Sequence, residues 1–223
     1  MPPNILLLVD CGFTVPSALV KNGLISKITD IVITHAHADH IGGLESFGFM
    51  HYFAFKNRGD KRPNLHLASD EFAHCLWQNS LKGGMGKMQS DDNKPVKASL
   101  ETFFKLHIGK NISTKDFPKI ILFETLHVQG LENYGLIFPK AGMLYSGDTI
   151  EKPKTGFEII FQDCQFFETP SDVHISYDKL LRSIDTPNRN KIWLVHLSSG
   201  YDKKNVLGDG FAGCVLPKQK FNF

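Results

Sequence analysis

Thr34-His35-Ala36-His37-Ala38-Asp39-His40-Ile41-Gly42-Gly43 decides how this chain reads. Three histidines and one aspartate fall within six positions. A lone histidine is ordinarily a satisfied core residue. A cluster of imidazoles with a carboxylate is a donor set that suits zinc and its neighbours. The small Ala36 and Ala38 let the backbone turn tightly, so that alternate side chains can face one point. Ile31-Val32-Ile33 before the cluster reads as a buried strand, and Gly42-Gly43 behind it allows close backbone packing at a helix start. The cluster therefore sits where a strand ends and a helix begins.

Working outward, three later stretches repeat that placement. Leu126-His127 follows an apolar run at Lys119 to Phe123. Ser146-Gly147-Asp148-Thr149 follows a run beginning at Met143, and His196 ends the run Lys191 to Val195. Each time, an apolar strand delivers a ligand-type residue at or just past its C-terminal end. In open α/β arrangements, sites gather at that edge. Further strands read at Asn4 to Val9, Asp30 to Thr34, Leu65 to Ala68 and Phe157 to Phe161. Tyr134 to Phe138 and Met143 to Ser146 read as a hairpin around Pro139-Lys140-Ala141-Gly142. Helical patterns cover His40 to Phe49, Glu71 to Leu81 behind the N-cap Ser69, and Tyr177 to Ile184. Strands mixed with helices on this scale predict an α/β fold. The absence of repeats and long linkers predicts one domain over residues 1–223. Leu81 to Ser99, with Gly83-Gly84-Met85-Gly86 and Ser90-Asp91-Asp92-Asn93-Lys94-Pro95, carries loop chemistry. A flexible loop is expected at about 82–98, as a surface excursion, a flap or an arm to a second subunit.

The chain has 223 residues, 25 Lys+Arg against 23 Asp+Glu, and a net charge of +2. That balance argues against a protein that coats nucleic acid, and no stable nucleic-acid partner is expected. The apolar runs are too short to span a bilayer, and Met1-Pro2-Pro3-Asn4 lacks secretory-signal features. A cytoplasmic protein with no membrane partner is expected. Cys11, Cys75, Cys164 and Cys214 lack short spacings and read as buried or half-buried thiols.

H-x-H-x-D-H followed by Gly-Gly, then His127, Ser-Gly-Asp148-Thr and the late His196, resembles the metallo-β-lactamase superfamily from about Asn4 to the C-terminus. The resemblance implies an αββα sandwich. It implies two divalent metal ions, with His35, His37 and His127 on one, Asp39, His40 and His196 on the other, and Asp148 between them. Nitrogen and oxygen ligands without thiolate suit zinc, and also permit manganese or iron. Asp148 is similar to the bridging aspartate of the phosphodiesterase branch, which holds tRNA 3′-end endonucleases and cyclic nucleotide phosphodiesterases. Gln162-Asp163-Cys164-Gln165-Phe166 stands where the tRNA endonucleases carry His-Glu-Ala-Thr-Phe. By that match Asp163 takes the glutamate's part and orients His174, the proton donor. Asp39, His174 and Asp163 are the implied catalytic residues.

More specifically, Ser80-Leu81-Lys82-Gly83-Gly84, Phe161 to Cys164, Val173-His174 with Tyr177, Ile192 to His196 and the ending Asp209 to Phe223 look like the anti-Pycsar phosphodiesterases. These hydrolyse the cyclic nucleotide messengers of a bacterial defence system. The resemblance implies cleavage of 3′,5′-cyclic nucleotides to nucleoside monophosphates and a homodimer. It implies residence in the cytoplasm, of the host if the gene is a phage's. Two departures stand out. The usual first strand and hairpin do not precede Asn4, and Gln162 replaces the motif histidine, which predicts looser support of the site. A tRNA 3′-processing endonuclease is the alternative, along with other hydrolases of this fold. No lysine-rich arm with a glycine tip supports the endonuclease, and Lys82 to Lys97 carries Asp91 and Asp92.

Overall fold

The computed structural model describes residues 6–55, 61–89, 92–113, 119–167 and 172–221. Asn4, Ile5, Ser90, Asp91 and the last two residues, which belong to segments singled out above, lie outside the described residues. The chain divides into two compact units, one ending at Lys110 and the other beginning at Asn111. Each has its own sheet and core.

In the first unit β1 (Leu6–Val9), α1 (Val15–Lys21), β2 (Ile28–Val32), α2 (Ala38–Ile41), α3 (Leu44–Phe55), β3 (Asn64–Leu67), α4 (Asp70–Leu76), α5 (Lys82–Met85), β4 (Lys87–Gln89), β5 (Pro95–Lys97), α6 (Leu100–Phe103) and β6 (Lys105–Ile108) follow in order. The strands β1-β2-β3-β6 form a parallel sheet. Ile31, Leu65, Phe47, Phe103 and Phe104 are fully or almost fully buried in one core. Burial of each such side chain contributes about 1.5–3 kcal/mol. Asp30, Asn64 and His66 are polar exceptions on the strands. Burial alone would raise the Asp30 carboxyl, but hydrogen bonds from His66, Thr29 and Asn64 outweigh it and hold it below its usual range.

The second unit holds β7 (Asn111–Ile112), β8 (Ile120–Glu124), β9 (Tyr134–Phe138), β10 (Met143–Tyr145), β11 (Ile159–Asp163), α7 (Tyr177–Ser183), α8 (Thr186–Arg189), β12 (Ile192–Val195) and β13 (Gly213–Cys214). Its sheet order is β13-β12-β11-β10-β9-β8-β7. The strands β10 to β13 run parallel, while β9 is antiparallel to both β8 and β10. So β8, β10, β11 and β12 all point the same way. Their C-terminal ends share one edge of the sheet.

Two expectations change. The predicted helix from His40 breaks into α2 and α3 at Gly42-Gly43. A Cβ on Gly43 would lie 2.3 Å from the Gly12 carbonyl oxygen, so only glycine lets the chain pass this close. The expected flexible loop at about 82–98 is largely regular. α4 continues through a π-turn over Trp77–Leu81 into α5, and β4 and β5 pair as an antiparallel hairpin. The physical reason is burial. Leu81 and Met85 are core residues at 4% and 0% exposure, so this segment is drawn onto the first unit's core. Met85 is therefore a packing residue. Cys11 and Cys164 are buried, as read from the sequence, but Cys75 is exposed. Burial, with help from the charge of Asp10, pushes the Cys11 thiol up to about 12. No described helix is long and apolar enough to cross a membrane.

Gly147 supplies a test of the second unit. It has φ +62, and a Cβ there would meet the Tyr134 carbonyl oxygen at 2.5 Å. Gly147→Ala adds left-handed strain of about 1–2 kcal/mol to that clash. An unfolding free energy, measured by urea titration, lowered by at least that much is the expected outcome; an unchanged value would contradict it.

Candidate metal and catalytic residues in each unit

In the first unit, the link from β2 to α2 carries four candidates. His35 is fully buried, His40 is nearly so, His37 is half-buried and Asp39 is exposed. His37 is the N-cap of α2, with extended φ −72 and ψ 150, which turns the chain between His35 and Asp39. The rings of His37 and His40 lie 4.7 and 4.0 Å from that of His35, centroid to centroid. Backbone bonds tie this loop to the end of β1. Cys11 N–H donates to the His40 carbonyl at 2.6 Å, and Gly43 N–H donates to the Cys11 carbonyl at 2.7 Å.

Asp10 organises the imidazoles. It is buried and has φ +60, an uncommon left-handed conformation for a residue other than glycine. Its Oδ1 accepts from Thr34 N–H at 2.8 Å, and its Oδ2 accepts from the Thr34 hydroxyl at 2.8 Å and from His40 Nδ1 at 2.7 Å. Thr34 gives its only hydroxyl hydrogen to Asp10. Its Oγ1 must therefore accept from His35 Nδ1–H, 3.0 Å away. Both histidines are thereby fixed, by the hydrogen-bond network, as tautomers with a lone pair on Nε2. Sequence reasoning misses Asp10. Its role depends on a partner thirty positions away. Asp10→Asn is expected to weaken metal binding about 10–100-fold, as loss of a ligand's supporting carboxylate does. Chelator competition measures this, and wild-type affinity would exclude the role.

In the second unit, the shared sheet edge gathers the rest. His127 follows β8, Asp148 follows β10, Asp163 ends β11, and His196 follows β12. His127 Nδ1–H donates to the Val173 carbonyl at 2.7 Å, which again leaves the lone pair on Nε2. Asp148 Oδ2 lies 4.0 Å from His127 Nε2 and 3.6 Å from His196 Nε2. Asp163 is fully buried. Its Oδ2 accepts from His174 Nδ1 at 2.8 Å and from Thr149 N–H at 2.8 Å, and its Oδ1 is 3.4 Å from His196 Nδ1. The His174 ring lies 4.7 Å from that of His127 and 5.1 Å from that of His196. His196 has φ +54, so the second unit too holds a ligand-type residue in the left-handed region. Side chains alternate along a strand, so Gln162 lies on the face opposite Asp163. Its amide donates to the Glu151 carbonyl at 3.2 Å, which anchors the turn after Asp148.

These donors fit divalent cations. The imidazoles of His35, His40 and His127 each spend Nδ1–H on an oxygen and keep a lone pair on Nε2. Asp148 and Asp163 are carboxylates at 2% and 0% exposure, set among histidines. Buried carboxylates need a compensating positive charge. Within the second unit His127, Asp148 and His174, and likewise Asp163, His174 and His196, bring donor atoms within 4.8 Å of one another. Three other histidines serve elsewhere. His51 stacks on Phe47, and His66 and His107 join the network around Asp30 and Asn64.

Comparison with known proteins gives a consistent result. The family described as anti-Pycsar protein Apyc1 matches residues 3–221. The chain is 35% identical over 208 residues to an anti-Pycsar protein Apyc1 of Paenibacillus harenae, covering 88% of this chain and 80% of that one. It is 33% identical to one of Bacillus phage BSP38, covering 85% of this chain and 77% of that one. Among solved structures, the metallo-β-lactamase fold protein YhfI of Bacillus subtilis superposes with a TM-score of 0.64 at 15% identity, covering 96% of this chain and 85% of that one. The fold is that of the metallo-β-lactamases.

Proposed function

Because the chain belongs to the anti-Pycsar protein Apyc1 family, we propose that it is a metal-dependent phosphodiesterase that opens 3′,5′-cyclic nucleotides to nucleoside monophosphates and so counters Pycsar signalling. The observation that carries this reading is the His174–Asp163 pair, set beside His127, Asp148 and His196 at one sheet edge. A phosphodiester that is to be cleaved by water needs a proton for its departing oxygen. His174 is a partly buried imidazole whose Nδ1–H is held by a fully buried carboxylate. That carboxylate holds Nδ1–H and fixes the ring, which leaves Nε2 to carry the proton given to the leaving ribose oxygen. An imidazole suits this transfer because its ordinary pKa lies near neutral pH.

His35, His37, Asp39 and His40 of one unit, and His127, Asp148 and His196 of the other, would hold two divalent metal ions. That both sets serve one centre rests on the family resemblance. Zinc suits the donor set best, with manganese or iron as alternatives. Bound metal supplies Lewis acidity toward the phosphate and lowers the pKa of water. Asp10, Thr34 and the Val173 carbonyl hold the imidazole tautomers that such binding requires. Asp39 is exposed in the first turn of α2, and His37 and His196 are half-buried. The reading includes a homodimer and action in the cytoplasm, that of the host where the gene is a phage's.

Metal-loaded protein incubated with a panel of 3′,5′-cyclic mononucleotides, with products resolved by chromatography, tests the proposal. Nucleoside monophosphates are expected. Recovery of every cyclic nucleotide intact, with cleavage of a precursor tRNA at its 3′ end instead, would transfer the assignment to the endonuclease alternative.

A further inference from the structure

We propose that Gln165 is the positioning residue for His196. The inference rests on the reading above for what His196 does, while the contact stands on geometry alone. Gln165 is 5% exposed and sits two residues past Asp163, just beyond β11. Its side-chain Nε2 donates to the His196 carbonyl at 2.8 Å and lies 3.2 Å from Nδ1 of the same residue. One amide group therefore touches both the backbone and the ring of His196.

That double contact matters because of where His196 sits. With φ +54 it occupies a region that residues with a Cβ rarely adopt, and such strain persists only where neighbours over-determine it. A hydrogen bond to the carbonyl of the strained residue resists relaxation of the backbone. The amide nitrogen, 3.2 Å from Nδ1, limits rotation of the ring by contact and leaves Nδ1–H to face Asp163 Oδ1, 3.4 Å away, while the ring's other nitrogen lies 3.6 Å from Asp148 Oδ2. The amide orientation follows from the partners. Turning it over would set two oxygen acceptors against each other at the carbonyl. In the orientation that remains, Gln165 Oε1 is buried without a hydrogen bond. An apolar side chain of the same size would avoid that unfavourable state, so packing alone does not account for glutamine here.

The backbone of Gln165 is held just as firmly. Its N–H donates to the Ile175 carbonyl at 3.0 Å, and its carbonyl accepts from Tyr177 N–H at 2.9 Å. The segment it grips also carries His174. Gln165 thus ties the proton-donor segment to the late histidine. Asp163 joins the same two histidines through their side chains.

Gln165→Met keeps length and volume and removes the amide, and Gln165→Glu keeps the shape and removes the donor. Two readouts apply, and neither uses substrate. One is zinc affinity by chelator competition. The other is the His196 imidazole resonances of nitrogen-15-labelled, metal-free protein. Both variants are expected to bind zinc about 10–100-fold more weakly and to shift the His196 resonances, with thermal midpoints close to wild type. In a His196→Ala background, Gln165→Met should add no further loss, because a residue acting through His196 has nothing left to position. Should Gln165→Met prove unable to fold, Gln165→Glu carries the same readouts. Wild-type zinc affinity with unmoved resonances, or a loss that adds in full to that of His196→Ala, overturns the proposal. Failure of the wild-type protein to open any cyclic nucleotide sinks the functional reading and leaves this one intact.

Discussion

His37→Ala and Asp39→Ala are each expected to lose bound metal and turnover together. Neither side chain is part of the core. His37 is half-buried at the N-cap of α2, and Asp39 is exposed in its first turn. The bonds that shape their loop belong to other residues, chiefly Asp10, Thr34, Cys11 and Gly43. Either substitution should therefore leave the fold in place and remove a donor. Metal catalysis of phosphoryl chemistry contributes several kcal/mol, so turnover should fall at least about 10³-fold. Elemental analysis of the purified variants, beside their rate on a cyclic nucleotide, measures both. Full metal content with a wild-type rate would exclude these residues from the centre.

His174→Ala should separate the two properties. The His174 ring lies near His127 and His196, yet its Nδ1 is committed to Asp163. In the variant, Asp163 keeps the Thr149 N–H on Oδ2 and its proximity to His196 Nδ1. The fold and the metal content should survive. Loss of a general acid typically costs 10²–10⁴-fold, so turnover should drop by about that range. A substrate analogue with a better leaving group should recover much of the loss, because it needs the proton less. A variant with normal metal and a normal rate would remove His174 from the mechanism.

The residues that declared themselves in the sequence did so by type and by place relative to strands. His35, His37, Asp39 and His40 form a cluster too dense for ordinary packing. His127, Asp148 and His196 each follow an apolar run. Those runs became β8, β10 and β12, and their common direction in the sheet turns a pattern along the chain into one edge. The same local logic failed at residues 82–98. Glycine, asparagine and aspartate there look like loop, but burial of Leu81 and Met85 outweighs local preference over the helical turn, and β4 and β5 pair beyond it. Histidine content misleads for a similar reason. His66 resembles a ligand in composition, yet its nitrogen is occupied by Asp30.

The sequence by itself determined the donor chemistry and the strand ends that deliver it. Those follow from side-chain type and short-range spacing. Only the tertiary structure decided which groups fix each imidazole. Asp10 holds His40 across 30 residues, the Val173 carbonyl holds His127 across 46, and Gln165 holds His196 across 31. A hydrogen bond acts over about three ångströms and is blind to distance along the chain, so these partners exist only once the sheets have formed.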